Sequence, residues 1–402
     1  MAATGLWLVG ARGGVSTTVI AGLAALQQGS AKPIGLVTET SIFDGCDLPA
    51  LSDLVVGGHE IRTGTLVQSA EAICSDSGSL GSKLIESITT TLDSVDEQIQ
   101  PGILLNAGEA ILSLGGIDPD CHHDQPATAL QQVEEDLRSF VASNELTTLV
   151  VVNLSSTEAV LDDHPAHHNA EALASALDSG EVNAFRSSTI YAIAAARVGA
   201  CFINFTPSPA ALLPATCQML ENSGCPYAGS DGKTGETLVK SALAPMFSHR
   251  ALNVLSWQGY NMLGDRDGEI LSHPEDRQTK LDSKGELIQQ ILGQDVHSQV
   301  SIDYVPSLGD NKTAWDLIHF EGFLGHRMTM QFTWQGCDAI LAAPLVIDLT
   351  RLLAGAHQRG ESGLQDQCGI FFKSPHGSQI HDLGRQYQAL VEYARRLAGS
   401  GC

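Results

Sequence analysis

The apolar run Leu6-Trp-Leu-Val9 leads straight into Gly10-Ala-Arg-Gly13-Gly14, and Val15-Ser-Thr-Thr18 then opens an alanine-rich segment reaching about Gln28. A short buried strand, a glycine turn and a long helix in immediate succession leave few folds open. Pro33-Ile-Gly-Leu-Val-Thr38 reads as a second buried strand ending at Glu39. Strand, glycine turn, helix, strand is the order a dinucleotide site requires. Glycines let backbone approach a pyrophosphate, and the first N–H groups of the helix bind it. The spelling is GxxGG rather than GxGxxG, so position between strand and helix carries more of this reading than the glycines themselves.

The same alternation continues. Gly102 to Asn106 and Thr147 to Asn153 read as parallel-strand material, with an amphipathic helix from Leu130 to Ser143 before the latter. Ser187 to Ala196 reads as a helix and Ala200 to Asn204 as a strand. This pattern predicts an α/β fold, a doubly wound Rossmann-type parallel sheet with helices on both faces. Polar loops follow two of these strands, Asn153 to Glu158 and Asn204 to Ser208, at the ends where such sheets bind ligands. From about Thr234 the pattern changes. Ala251 to Gln258 and His326 to Trp334 alternate like half-buried antiparallel strands, and Ala339 to His357 returns to a long apolar helix. The expected organisation is a discontinuous nucleotide domain, 1–233 with 339–402, interrupted by an α+β insert over 234–338.

Composition narrows the partners. The chain has 402 residues, a formal net charge of −24 and a pI near 4.8, which disfavours nucleic acid because phosphates would be repelled over most of the surface. An anionic ligand must enter a local basic pocket. The start MAATGLWLVGARGG lacks a charged n-region and cleavage site, and no apolar run approaching membrane-spanning length is evident, so a cytoplasmic protein with no membrane partner is expected. Nine cysteines show no CxxC pair, and free thiols are expected. The histidine clusters Cys121 to Asp124 and Asp162 to His168 lie in polar loops without the i, i+4 spacing of a helical metal site.

Cations are scarce and unevenly placed. Of eight lysines, only Lys32 and Lys83 precede Lys233; the others are Lys240, Lys280, Lys284, Lys312 and Lys373. In a helical TKLDSKGELIQQIL, Lys280 and Lys284 would share the face of Leu287/Ile288 and Ile291. Such lysines, close together and partly desolvated, can exchange protons or stabilise an anion near neutral pH; alternatively their stems line the core edge and their heads reach water. Gly229 to Gly235 lacks Walker spacing, yet its N–H groups and Thr234 could hold a small phosphate. Asp265, Asp267, Asp310 and Asp338 each sit beside glycine or at an element end, where a turn carboxylate is the ordinary role.

These segments resemble the myo-inositol-1-phosphate synthase family, most closely its prokaryotic branch. The likeness runs in order through LVGARGGVSTT, IGLVTE, GGHEIR, NLSSTEA, INFTPSPA, GSDGKTGET, YNMLGDRDG, TKLDSK, VPSLGDNK, CDAILAAPLVIDL and FFKSP. The resemblance implies a split NAD domain, an inserted catalytic and oligomerisation domain, a homotetramer, and glucose 6-phosphate as substrate. It implies catalytic roles for Lys280, Lys284, Lys312, Lys373 and Asp267. Cofactor contacts would come from Gly10, Ala11, Gly13, Gly14, Val15, Ser16, Thr17, Glu39, Ser155, Asp231 and Asp338. Thr234, Gly235, Ser208 and Lys284 would hold the substrate phosphate, and Asp338 with Asp267 a divalent or monovalent cation. The implied chemistry is oxidation at C5, enolisation at C6, closure onto C1 and re-reduction at C5, with NAD regenerated. The lysines would act as ammonium groups on developing oxyanions rather than as imines. An NAD-dependent sugar-phosphate dehydrogenase, a cyclase for another sugar phosphate and a non-catalytic NAD-binding homologue remain the alternatives.

Overall fold

The computed structural model describes residues 3–113, 115–264, 288, 291–293 and 296–399; Asp265, Asp267, Lys280 and Lys284 lie outside them. The first half runs β1 (Thr4–Val9), α1 (Gly14–Gln27), β2 (Leu54–Glu60), α2 (Leu66–Asp76), α3 (Ser82–Asp96), β3 (Ile99–Pro101), α4 (Glu109–Leu112), α5 (Pro126–Ser143) and β4 (Thr148–Asn153). It continues through α6 (Ala170–Ser179), α7 (Ser187–Val198), β5 (Cys201–Asn204), α8 (Pro214–Asn222) and β6 (Pro226–Gly229). A different layer follows, with α9 (Gly235–His249), β7 (Asn253–Leu263), β8 (His297–Tyr304), β9 (Asn311–Glu321) and β10 (Arg327–Cys337). The chain then closes with α10 (Asp338–Gln358), β11 (Gly363–Leu364) and α11 (Leu383–Gly399).

The first sheet has seven strands in the order β3-β2-β1-β4-β5-β6-β11, and every pairing is parallel. All six residues of β1 are buried, as a strand covered on both faces demands. Leu6 and Leu8 enter a core with α1, α2, α3, α10 and α11. Trp7 and Val9 point the other way, into a core with α5, α6, α7 and α8. Strand order reverses between β1 and β4, and ligands of such sheets bind in the crevice outside the carboxyl ends at that point.

Two expected strands are displaced. Pro33 to Thr38 is not a strand: Val37–Glu39 forms a short 3-10 turn, and Gly35 has φ +93°. Its amides are claimed by a side chain from α10, since Asp348 Oδ2 accepts from Val37 N at 2.7 Å and Asp348 Oδ1 from Thr38 N at 3.0 Å. The place beside β1 belongs to β2, paired in register from Thr4↔Leu54 to Val9↔His59. Its glycines permit that approach. A Cβ on Gly58 would collide with the Leu8 carbonyl oxygen and lie 2.7 Å from Ala11 Cβ. Likewise, β3 precedes the expected Gly102 to Asn106; Gly102 N bonds Glu60 O at 2.8 Å and Leu104 N bonds Cys121 O at 2.6 Å, so this stretch runs as loop.

The second sheet has the order β10-β9-β7-β8. β9 is antiparallel to both β10 and β7, but β8 adds a parallel pairing with β7 that the alternating pattern did not announce. One face packs with Phe247 of α9 on Trp257, Ile318 and Phe320. The other face carries Tyr260 stacked on Trp315, ring centroids 5.5 Å apart. α10 then returns to the first sheet. By length and composition it could cross a membrane, but 72% of its apolar window is buried inside the protein.

Gly58→Ala should destabilise by about 3 kcal/mol, the upper part of the usual overpacking range, because backbone rather than a flexible side chain is in the way. Gly22→Ala, a helical position whose Cβ would meet nothing within 4 Å, should instead stabilise by roughly 0.5–1 kcal/mol. Denaturant midpoints compare the two; equal and small effects would contradict this packing of β2 on β1.

Candidate active site

One cleft of about 780 Å³ runs from the glycine turn after β1 to the ends of the second sheet. At one end the turn is held by backbone. Gly10, at φ +84°, and Ala11 both donate to His59 O, at 2.8 and 2.9 Å, and Gly13 N donates to Gly10 O at 3.0 Å. Gly13, Gly14, Val15 and Ser16 line the cleft. A Cβ on Gly13 would sit 3.1 Å from Gly10 O, while one on Gly14 would meet no protein atom. The first turn of α1 has no acidic residue. Ser16 Oγ and Thr17 Oγ1 are buried without a hydrogen-bond partner among the described residues. A helix start with no acid in its first turn and an unsatisfied hydroxyl fit a pyrophosphate.

The acid beside this turn is Glu60, which was not expected. It ends β2, is 5% exposed and lines the cleft. Glu60 Oε2 accepts from Arg12 N at 2.8 Å, and Oε1 accepts from Ile61 N and Arg62 N at 2.9 and 3.1 Å. The end of the second strand is where dinucleotide sites place an acid against the ribose. Glu39 does not line the cleft; it pairs with Arg351 at 2.6 Å. Its displacement follows from the displacement of Pro33 to Thr38. The sequence signal for Glu60 was the buried run Leu54-Val-Val-Gly-Gly58 ahead of it.

His59, also at the cleft, is clamped in one neutral form. Trp7 Nε1 donates to His59 Nδ1 at 3.3 Å, so Nε2 carries the proton facing Asp136 Oδ2 at 3.0 Å. Burial lowers its pKa against the pull of Asp136.

Cations gather at the other end. Lys312 Nζ bonds Asp338 Oδ2 at 3.0 Å, and Lys373 Nζ bonds Asp231 Oδ1 at 2.9 Å. Lys373 N also donates to Asp231 O at 2.7 Å. Asp338 opens α10, and its Oδ1 has no hydrogen-bond partner among the described residues. Burial pushes its carboxyl up, but Lys312 and then Lys373 outweigh that and hold it at about 2. Thr234 precedes α9 without a side-chain cap bond and lines the cleft, its side chain bonding the Asp338 carboxylate; Gly235 begins the helix at φ +52° behind it, and a Cβ there would lie 3.4 Å from Asp338 Oδ1.

Of the residues singled out from sequence, Gly10, Gly13, Gly14, Val15, Ser16, Ser155, Asp231, Thr234, Lys312, Asp338 and Lys373 line this one cleft. Ala11 and Thr17 are fully buried behind the turn. Ser208 does not reach the cleft: it is buried, and its Oγ accepts from Glu158 N at 3.0 Å. Asp267, Lys280 and Lys284 lie outside the described residues. Among the described residues no group of three or more His, Cys, Asp or Glu gathers as a metal site.

The family model for myo-inositol-1-phosphate synthase, an NAD-binding one, matches residues 4–395. The chain belongs to the myo-inositol-1-phosphate synthase family. A relative named inositol-3-phosphate synthase 1 from Bacteroides thetaiotaomicron is 32% identical, covering 98% of this chain and 95% of the relative. The human protein of that name is 32% identical over 56% of this chain and 42% of its own length. A Caenorhabditis elegans inositol-3-phosphate synthase structure superposes with a TM-score of 0.87 at 24% identity, covering 99% of this chain and 86% of the other. A related Thermotoga maritima structure gives 0.77 at 21%, covering 98% of each chain. At those identities the structures speak for the fold alone.

The depressed Asp338 carboxyl predicts an acid-sensitive contribution within this member of the family. A carboxyl held below its ordinary value stabilises the fold above pH about 3.8, and that contribution is lost as pH falls through about 2. Asp338→Asn should therefore flatten the loss of stability between pH 4 and 2, read by denaturation at stepped pH. An unchanged slope would mean that Lys312 and Lys373 do not hold Asp338 ionised.

Proposed function

We propose that this protein converts D-glucose 6-phosphate to 1D-myo-inositol 3-phosphate (L-myo-inositol 1-phosphate) with NAD used and regenerated in place. The observation that carries the reading is the joining, in one cleft, of a dinucleotide cradle after β1 with Lys312 and Lys373. The name of the Bacteroides thetaiotaomicron relative, matched along nearly its whole length, supports it. So do the paired carboxylates, which set each lysine as a fixed charge rather than a mobile one.

Gly13, Gly14 and the α1 N-terminus would take the pyrophosphate, and Glu60 the adenosine ribose. When bound, NAD would accept a hydride from C5 of the sugar and later return it. Lys312 would donate hydrogen bonds to the C5 oxygen and steady negative charge there during enolisation at C6. Lys373 would face the C1 aldehyde oxygen, where charge develops as the ring closes. Thr234 and Gly235 would hold the substrate phosphate at the start of α9. Lys280 and Lys284 stay assigned to the same cationic set by the resemblance alone, as does a cation beside Asp338.

Residues 234–338 would then form the catalytic and oligomerisation unit inserted into the NAD-binding one. The Tyr260–Trp315 stack on the open face of its sheet suits burial against another copy, and a homotetramer follows from the resemblance.

One incubation tests these readings together. Glucose 6-phosphate with catalytic NAD should yield inositol phosphate by NMR, with no net rise in absorbance at 340 nm, from a sample whose scattering mass is four chains. Stoichiometric NADH with an acyclic oxidised sugar would identify a dehydrogenase instead.

A further inference from the structure

Four charged or polar side chains meet beneath the cleft in a cluster that the proposed chemistry does not use. Glu236 lies in the first turn of α9, 2% exposed, and Lys240, one turn later, is also 2% exposed. Lys240 Nζ forms an ion pair with Glu236 Oε1 and lies 3.6 Å from Asp316 Oδ1 on β9. Asn261 Nδ2 on β7 donates to Glu236 Oε2 at 2.6 Å, and Trp257 Nε1 donates to Asp316 Oδ1 at 2.7 Å. Glu236, Lys240 and Asp316 converge over Gly259. A Cβ there would collide with Glu236 Oε1 and lie 3.0 Å from Lys240 Nζ and 3.3 Å from Asp316 Oδ1.

The position of Glu236 poses the problem. It directly follows Gly235 and lines the cleft with Thr234 and Thr237. A carboxylate in a first helical turn satisfies the helix end by itself, so it competes with any anion offered to those N–H groups. Lys240 and Asn261 draw both of its oxygens toward the second sheet. Burial makes that arrangement expensive unless every charge is compensated. Asp316 shares Lys240 and is itself pushed up to about 6, by burial first, against the pull of Lys240.

We propose that Lys240 is a positioning residue that holds the Glu236 carboxylate against Gly259 and away from the Thr234–Gly235 turn, so that the start of α9 can accept a phosphoryl group. The inference rests on the reading that the substrate phosphate sits at this turn. Lys240 touches neither substrate nor cofactor. It acts by preventing a residue of the chain from occupying the anion site, and α9, β7 and β9 are locked together as a consequence.

The test compares Lys240→Met, Glu236→Gln and the double variant, each loaded with NAD. Lys240→Met should raise KM for glucose 6-phosphate by about tenfold or more, the scale of a buried like-charge juxtaposition, with NAD affinity unchanged. Glu236→Gln alone should keep KM within about twofold, and adding it to Lys240→Met should recover most of the loss, because the neutral amide no longer competes. A purely structural ion pair predicts the reverse: Glu236→Gln would weaken the protein by itself, and the double variant would be no better than Lys240→Met. Either result overturns the inference, and Glu236→Gln decides the matter if Lys240→Met does not fold. Calorimetric titration with inorganic phosphate makes the same comparison without turnover. Wild type that binds phosphate but leaves glucose 6-phosphate unchanged would overturn the proposed function alone, whereas wild type that binds no phosphate would overturn the positioning role.

Discussion

The contact between the Gly10–Gly13 turn and the end of β2 is the constraint on which the cleft depends. His59 O takes the N–H groups of Gly10 and Ala11, and Glu60 takes that of Arg12. With Gly13 N on Gly10 O, four successive amides are thereby spent on the protein, which leaves those at the start of α1 for a ligand. That contact needs β2 to approach β1 and Ala11 closely, and the absence of a side chain on Gly58 allows it. Backbone geometry at two adjacent strand ends thus decides where an anion can bind, before any charged side chain is considered.

The second sheet brings what the first lacks. A chain of net charge −24 can present cations to an anionic sugar only locally, and it does so at the junction of the two sheets. Lys312 comes from the start of β9, Lys373 from the segment after β11, and each is fixed by an aspartate at 3.0 or 2.9 Å. Asp338, the first residue of α10, belongs to both layers: its helix packs on the first sheet and its carboxylate binds a lysine of the second. A shift of one sheet against the other would separate the cations from the dinucleotide cradle.

Much of this was legible in the chain because the strongest elements declare themselves locally. β1, α1, β4, α7, β5 and α10 combine apolar content with clear ends, and the glycine turn lies between the first two. The misplacement of the second strand has a non-local cause. Pro33 to Thr38 and Leu54 to Glu60 are comparable short apolar runs, and the choice between them is made by Asp348, some 310 positions away, whose carboxylate takes the amides of Val37 and Thr38. Glu39, which the resemblance placed among the cofactor contacts, is carried to Arg351 with that segment, and Glu60 stands beside the turn instead. Ser208 was legible as a polar loop residue, but only the fold commits its hydroxyl to Glu158. Lys312, Lys373, Asp231 and Asp338 were identified by resemblance, and their common cleft is a tertiary fact that spacing could not supply. The Glu236–Lys240–Asp316 cluster had no sequence signal beyond an i, i+4 ion pair.

The central claim is that one cleft holds the dinucleotide and the sugar phosphate through the whole reaction. Conversion of glucose 6-phosphate carrying deuterium at C5, in ordinary water with unlabelled NAD, tests it most directly. The account predicts that the corresponding carbon of the inositol phosphate retains the deuterium, because the hydride leaves and returns without reaching solvent or a second cofactor. Loss of the label at that carbon, or its accumulation in free NADH, would contradict it.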